Sequence, residues 1–367
     1  MTVVVYGATG YTGRLVAAEL ARRGLAPLLA GRNAEKLARV SEEVAQGAPF
    51  RIAAADDRPA LRRLLADAEV VINCAGPFTL AGDALVGSAV VTGTHYADST
   101  GEQSYMKMVF ERHGDEAERR GVALVPGMGF DYAPGDCLAR LVSRQTEPLE
   151  ELTMAYALAG FGMSRGTMRS ALQMLGGGDT VYRDGAWRPA PSGVNRGNFV
   201  FPAPIGRQAV SRYPAGEVIT VPRHTQTRNV RAVLTTATAA PHPLLTPLLP
   251  FVMPGVALGL RTPLRPVLNR AIGRLPEGPA EAERRAARFT IVAQAAGLDG
   301  SVSSGVLRGT DVYGITAVLL GYAAQLMGEP SYAAAGALGP AAAFDPAALL
   351  DAMKEHGLTY ELSQGTG

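Results

Sequence analysis

The chain has 367 residues, more than one hydrophobic core usually organises, so two domains are the first expectation. Apolar residues make up 47% and charged residues 19%, a soluble globular composition, and a formal net charge of +2 gives no basis for a nucleic-acid partner. Two cysteines, Cys74 and Cys137, fit no disulfide framework, and five scattered histidines fit no metal spacing, so a cytoplasmic location and no metal are expected.

Val3-Val4-Val5-Tyr6 is a short continuous apolar run, as a strand buried on both faces requires. No basic region precedes it and glycines follow at once, so it reads as a strand and not as a signal peptide. A helix is expected over Arg14–Arg23, with Leu15, Val16, Ala18 and Leu20 at helical spacing and Gly24 ending it. Strands over Pro27–Ala30, Phe50–Ala55 and Val70–Cys74 then alternate with helices over Ala34–Gln46 and Arg58–Ala68, and Val122–Pro126 adds a late strand. Strand–helix units of this length imply right-handed crossovers and a Rossmann-type, doubly wound parallel sheet, an α/β fold, over residues 1–130.

Gly7, Gly10 and Gly13 stand as G-x-x-G-x-x-G between the first strand and the first helix, the setting a dinucleotide-binding turn requires. The loop Gly7-Ala8-Thr9-Gly10-Tyr11-Thr12-Gly13 would hold a pyrophosphate on free N–H groups at the helix start. After the second strand, Arg32-Asn33 stand where an NAD-binding chain usually offers a carboxylate. A guanidinium there suits a 2′-phosphate, so NADP(H) is expected over NAD(H). Asp56, after the third strand, is a candidate adenine contact or an ordinary surface carboxylate, and Ala75-Gly76-Pro77 are small enough to let the nicotinamide ribose approach the backbone.

These motifs, with Asn73-Cys74-Ala75-Gly76-Pro77-Phe78, His95-Tyr96-Ala97-Asp98, Gly101-Glu102 and Gly129-Phe130-Asp131-Tyr132, resemble the saccharopine dehydrogenase-like oxidoreductases. That group is similar to the trans-acting enoyl reductases and to saccharopine reductases. Gly309-Thr310-Asp311-Val312-Tyr313-Gly314 with Thr316-Ala317 resembles its C-terminal segment, so the likeness spans nearly the whole chain. The resemblance implies a nicotinamide cofactor and reduction of an imine or of an activated double bond, without selecting between them.

Strands are expected over Glu151–Leu158, Gln208–Tyr213, Glu217–Pro222, Asn229–Ala237 and Arg288–Gln294, with a helix over Arg165–Leu175. They suggest a second, α+β domain of mainly antiparallel sheet over 131–310, a place for substrate or for dimer contacts. Val312–Leu326 is a long apolar helix, and residues 311–367 are expected to return as helices to the nucleotide domain, Asp345 capping the last of them and Pro346 opening it. No charged residue lies between Arg231 and Arg261, and five prolines from Pro241 to Pro254 argue against a membrane-crossing helix there. Segment 232–260 is expected to pack on a homodimer partner, a lipid interface or an acyl chain, or to be a loop-rich piece of core.

Hydride chemistry asks the protein mainly to position substrate and to supply a proton or a stabilising donor. The Tyr-x-x-x-Lys pair is absent, since none of Lys36, Lys107 and Lys354 lies four residues after a tyrosine. By position, Tyr132, Tyr96 and Asp131 are the catalytic candidates, although each tyrosine reads first as a packed aromatic with a satisfied hydroxyl. Asp98, Glu102 and Asp131 could bind a cationic amine or cap helices, capping being the expected role of Asp98 and Glu102. Gly162-Met163-Ser164-Arg165-Gly166 matches a nucleophile elbow, with His224, His242 and His356 downstream, but starts outside the parallel sheet, and Ser164 suits a helix cap. The expectation is an NADPH-dependent enoyl or imine reductase acting on a small or acyl-bearing substrate. An NADP-binding redox sensor or a lipid-associated protein without turnover is the alternative.

Overall fold

The first strand, Val3–Tyr6 (β1), is buried along its length because parallel neighbours flank it and helices cover both faces. It pairs in register with Pro27–Gly31 (β2) on one side and Val70–Asn73 (β4) on the other, Tyr6 standing opposite Ala30 and Asn73. In this computed structural model, which describes residues 1–144, 146–176, 178–191, 196–239 and 270–365, the chain forms two compact units. The first comprises Met1–Ala133 with Tyr313–Phe344.

Its sheet adds Phe50–Ile52 (β3) beyond β2, and His95–Asp98 (β5) and Ala123–Val125 (β6) beyond β4. The strand Gly336–Ala337 closes the far edge in parallel with β6. All pairings are parallel, in the order β6-β5-β4-β1-β2-β3, the doubly wound arrangement expected. The helices are Tyr11–Arg22 (α1), Ala34–Val44 (α2), Arg58–Leu65 (α3), Phe78–Thr92 (α4) and Gln103–Arg119 (α5). Helix α1 begins at Tyr11, a turn earlier than its apolar spacing suggests, because Gly10 already accepts from the Arg14 amide. The core between sheet and helices includes Leu61, Leu65, Leu85, Val86 and Val109.

The helix Val312–Met327 runs over α1: a Cβ on Gly321 would lie 3.1 Å from Arg23 Nε and from Glu19 Cγ. Residues from Asp345 onward depart from expectation. They belong to the second unit, where the strand Thr359–Gly365 pairs with Val302–Thr310. Asp345 does cap Pro346–Ala352, accepting from the Ala348 amide at 2.8 Å.

The second unit is built on one nine-stranded mixed sheet. Leu149–Ala159 lies at its centre, antiparallel to Arg288–Gly297 and parallel to Thr227–Thr235. The remaining pairings are antiparallel, and Ala155, Phe199, Phe201, Val210, Val233 and Val292 form a core on it. The expected strand Glu217–Pro222 is instead a helical turn over Glu217–Thr220 running into a 3-10 turn over Val221–Arg223. Its β-branched residues are buried on every side. A turn bonding Ile219 and Thr220 back to Gly216 satisfies a buried backbone without strand pairing. Among the described residues no helix is long and apolar enough to cross a membrane. Of segment 232–260, residues 240–260 lie outside the described residues.

Candidate functional site

Chain order reverses between β1 and β4, so their carboxyl ends open the crevice in which doubly wound sheets take ligands. Gly7 turns the chain there with φ +80°, and its amide donates to Ala30 O at 2.9 Å. A Cβ on Gly7 would lie 2.8 Å from Ala75 N, and one on Gly13 would lie 2.3 Å from Gly7 O. Both glycines are therefore required by the fold itself. Gly10 is different: its φ of −81° suits any residue, and a Cβ would meet only Gly7 O at 3.4 Å. Its missing side chain serves nothing inside the protein and leaves the loop's outer face clear, which is what a pyrophosphate needs.

Gly10 gives α1 no side-chain cap and the first turn has no acid, so the N–H groups there retain their pull on an anion. Thr9, Tyr11 and Thr12 are half-buried around this turn, and the Tyr11 ring sits edge-on to Tyr313 with centroids 5.0 Å apart.

Beyond β2, Arg32 is exposed and has no ion-pair partner among the described residues. Asp56 is exposed as well. Both charges act on the Tyr6 hydroxyl, which donates to Ala53 O at 3.1 Å. Burial pushes that phenol up to about 12, Arg32 pulling it down and Asp56 pushing it up. Arg32 and Asp56 thus share one end of the sheet. Asn33, expected as a cofactor contact, serves the fold, since its Oδ1 accepts from the Lys36 amide at 2.8 Å and caps α2.

Under Ala75–Pro77 lies a buried polar chain. Asn73 Oδ1 accepts from the Ala75 amide at 3.0 Å, and its Nδ2 donates to Tyr96 Oη at 3.0 Å. Tyr96 donates to Asp98 Oδ2 at 2.8 Å and shares a 2.7 Å hydrogen bond with Tyr105. Asp98 Oδ1 accepts from the Thr100 and Gly127 amides, each at 2.9 Å. Glu102 caps α4 from outside it, accepting from the Phe78 and Thr79 amides at 2.8 Å. Capping is thus found for Glu102, whereas Asp98 ties loops together rather than capping a helix.

Burial raises the Asp98 carboxyl to about 7 despite these donors, and burial with the Asp98 charge pushes the Cys74 thiol up to about 12. Tyr96 and Tyr105 are held well above the usual phenol range, again chiefly by burial.

The tyrosines expected as proton donors both pack inside the protein. Tyr96 is 0% exposed inside the network, and Tyr132 is 0% exposed with its hydroxyl donating to Gly101 O at 2.8 Å. Both hydroxyls are thus engaged in hydrogen bonds within the protein. Asp131 is half-buried beside Gly101, and alone of the three catalytic candidates reaches the surface. The sequence reading did not name Tyr105, and it placed Asn73 and Thr316 in motifs without giving them a role; Thr316 Oγ1 accepts from the Phe130 amide at 3.0 Å. An asparagine ending an apolar strand was the available signal for Asn73.

Residues 3–127 match the saccharopine dehydrogenase NADP binding domain family. The first unit is thus an NADP(H)-binding domain, and the resemblance carried by its loop motifs holds. The chain is similar to the trans-acting enoyl reductase of Mycobacterium leprae, 37% identical over 139 residues, covering 36% of this chain and 33% of that protein. It is also similar to the saccharopine dehydrogenase-like oxidoreductase of Bos taurus, 29% identical over 197 residues, covering 47% of this chain and 46% of that protein. Each alignment spans less than half of the relative's length. The solved saccharopine dehydrogenase (L-Glu forming) of Saccharomyces cerevisiae shares the fold with a TM-score of 0.61, covering 99% of both chains at 13% identity.

The elbow-like segment is not built as one. Ser164 Oγ accepts from the Thr167 amide at 3.1 Å and pairs with Thr167 Oγ1 at 3.0 Å, so it caps Arg165–Gly176. His224 is bound at Nε2 to Asp136 at 2.9 Å and at Nδ1 to Thr225 at 3.0 Å.

Proposed function

We propose that this chain is an NADPH-dependent reductase that delivers hydride to an activated C=C bond of an enoyl substrate or to the C=N bond of an imine. The observation that carries the reading is the open, uncapped loop at Gly10 standing at the same end of the sheet as Arg32, which has no ion-pair partner among the described residues. An anion-binding helix start and a free guanidinium suit the pyrophosphate and the 2′-phosphate of one NADPH molecule. The enoyl arm draws on the trans-acting enoyl reductase likeness, and the imine arm on the likeness to saccharopine dehydrogenase.

In this reading Gly7–Gly13, with Thr9, Tyr11 and Thr12, hold the pyrophosphate, Arg32 and Asn33 flank the 2′-phosphate, and Asp56 borders the adenine. Ala75-Gly76-Pro77 receive the nicotinamide ribose. The bound cofactor supplies the hydride. The chain's own residues orient the partners, and Asp131, half-buried beside Gly101, is the carboxylate assigned to hold a cationic substrate. With both tyrosine hydroxyls engaged internally, a substrate that arrives already protonated, such as an iminium, needs least from this site. A small or acyl-bearing substrate, a cytoplasmic location and a homodimer belong to the same reading. An acyl or lipid contact would fall on 232–260.

The test is a fluorescence titration with NADPH and NADH, followed by panels of imines and enoyl thioesters. Tight NADPH binding with oxidation by one panel is the expected result. Binding without oxidation by either would favour the redox-sensor or lipid-associated alternative, and no binding would end the reductase reading.

A further inference from the structure

The loops after β4 and β6 are far apart in sequence, yet one line of buried hydrogen bonds joins them: Ala75 N to Asn73, Asn73 to Tyr96, Tyr96 to Asp98, and Asp98 to Gly127 N. Asn73 is 1% exposed, and Tyr96 and Asp98 are 0% exposed. We propose that Asp98 is a positioning residue for the nicotinamide half of the cofactor, fixing the Ala75–Pro77 loop against the Gly127 turn through Tyr96 and Asn73. The inference rests on the cofactor placement above and extends it to residues that do not touch the cofactor.

Three features support it. Asp98 receives three donors from three places, Thr100 N, Gly127 N and Tyr96 Oη, so its removal orphans all of them at once. A buried donor left without an acceptor is costly enough to make a loop move to find water or another partner. The Ala75 backbone that would move is also the one packed against Gly7, where a Cβ has no room. A displaced Ala75 therefore disturbs the crevice on its nicotinamide side while α1 and Arg32 keep their own supports. Finally, a carboxyl is costly in this interior, and the chain carries it nonetheless, with Glu102, Tyr96, Tyr105 and Cys74 as its titratable neighbours.

The experiment compares two probes on the full chain: NADPH, and 2′,5′-ADP, which lacks the nicotinamide half. Asp98→Ala is expected to weaken NADPH at least tenfold while 2′,5′-ADP changes less than twofold. Asp98→Asn, which retains an acceptor for the two amides and a donor for Tyr96, is expected to return NADPH to within threefold of the unaltered chain. Tyr96→Phe keeps the packing and cuts the line at its middle, and is expected to show the same probe selectivity with a smaller loss. It also serves if Asp98→Ala does not fold. Equal losses for both probes, or unchanged NADPH binding in Asp98→Ala and Tyr96→Phe, would overturn the assignment. Failure of the unaltered chain to bind NADPH more tightly than 2′,5′-ADP would instead overturn the cofactor placement, and is read before any variant is made.

Discussion

Replacing Asp98 by asparagine should make the protein more stable at neutral and alkaline pH while leaving it little changed in acid. Folding raises this carboxyl from 3.8 to about 7. Ionising it is therefore about 4 kcal/mol more costly in the folded chain than in the unfolded one, at about 1.4 kcal/mol per pH unit. Below pH 4 the carboxyl is protonated in both states and costs nothing. As pH rises toward 7 the unfolded chain ionises first and draws the equilibrium toward itself, and above 7 the deficit is complete. Asparagine stays neutral throughout. Its Oδ1 can accept from the Thr100 and Gly127 amides and its Nδ2 can donate to Tyr96, which then donates to Tyr105. Urea unfolding of both proteins from pH 4.5 to 8.5, followed by circular dichroism, isolates the effect because other titrating groups cancel in the difference. The stability gap should widen with pH by a few kcal/mol in favour of Asp98→Asn. Parallel pH profiles would refute the reasoning, and a gap widening in the opposite sense would show that Asp98 is stabilised as an anion.

Arg32→Ala should weaken NADPH by about 10- to 100-fold, the worth of charge-assisted hydrogen bonds to a phosphate, and leave NADH within twofold; equal weakening of both would remove the phosphate role. Gly10→Ala should leave the melting temperature nearly unchanged, since its Cβ fits, yet reduce NADPH affinity at least tenfold. Gly13→Ala, by contrast, should destabilise the fold before any ligand is added, because its Cβ would meet Gly7 O at 2.3 Å. Similar behaviour of the two would show that Gly10 is not reserved for a ligand. Ser164→Ala should cost about 1 kcal/mol in a denaturation experiment, as loss of a helix cap does, and leave NADPH oxidation intact. An esterase activity abolished by that change would restore the elbow.

The nucleotide-binding half was legible because its signals are local. A buried strand, a glycine with positive φ and a short turn into a helix occupy adjacent residues, from Val3 to Gly13. The polar line beneath the site was not, because Asn73 ends β4, Tyr96 and Asp98 lie on β5, and the Gly127 amide belongs to the turn after β6. Only folding shows that their side chains meet. In the second unit the strand Val302–Thr310 escaped for a packing reason. Its buried positions include Gly305 and Gly309, whose places are filled by Leu138, Val142 and Phe289 from elsewhere, so an alternation that is real in three dimensions carries no apolar signal in the sequence. Glu217–Pro222 misled in the opposite way, since its β-branched residues report burial rather than a strand.

The strand Gly336–Ala337 on the edge of β6 bears on how the protein is made. A nascent chain emerges from its N-terminus, and the first unit is not finished when Ala133 appears. Until residues near 337 follow, β6 presents an open row of backbone donors and acceptors, and the α1 surface beside Glu19 and Arg23 lacks the helix that covers it. Synthesis of every strand of the second sheet except Thr359–Gly365 intervenes. A translation product stopped in that interval would carry a complete glycine loop on an incomplete sheet. It would be prone to pair its exposed edge with another chain, so soluble expression of this nucleotide-binding unit calls for a fusion of its two segments rather than a simple N-terminal truncate.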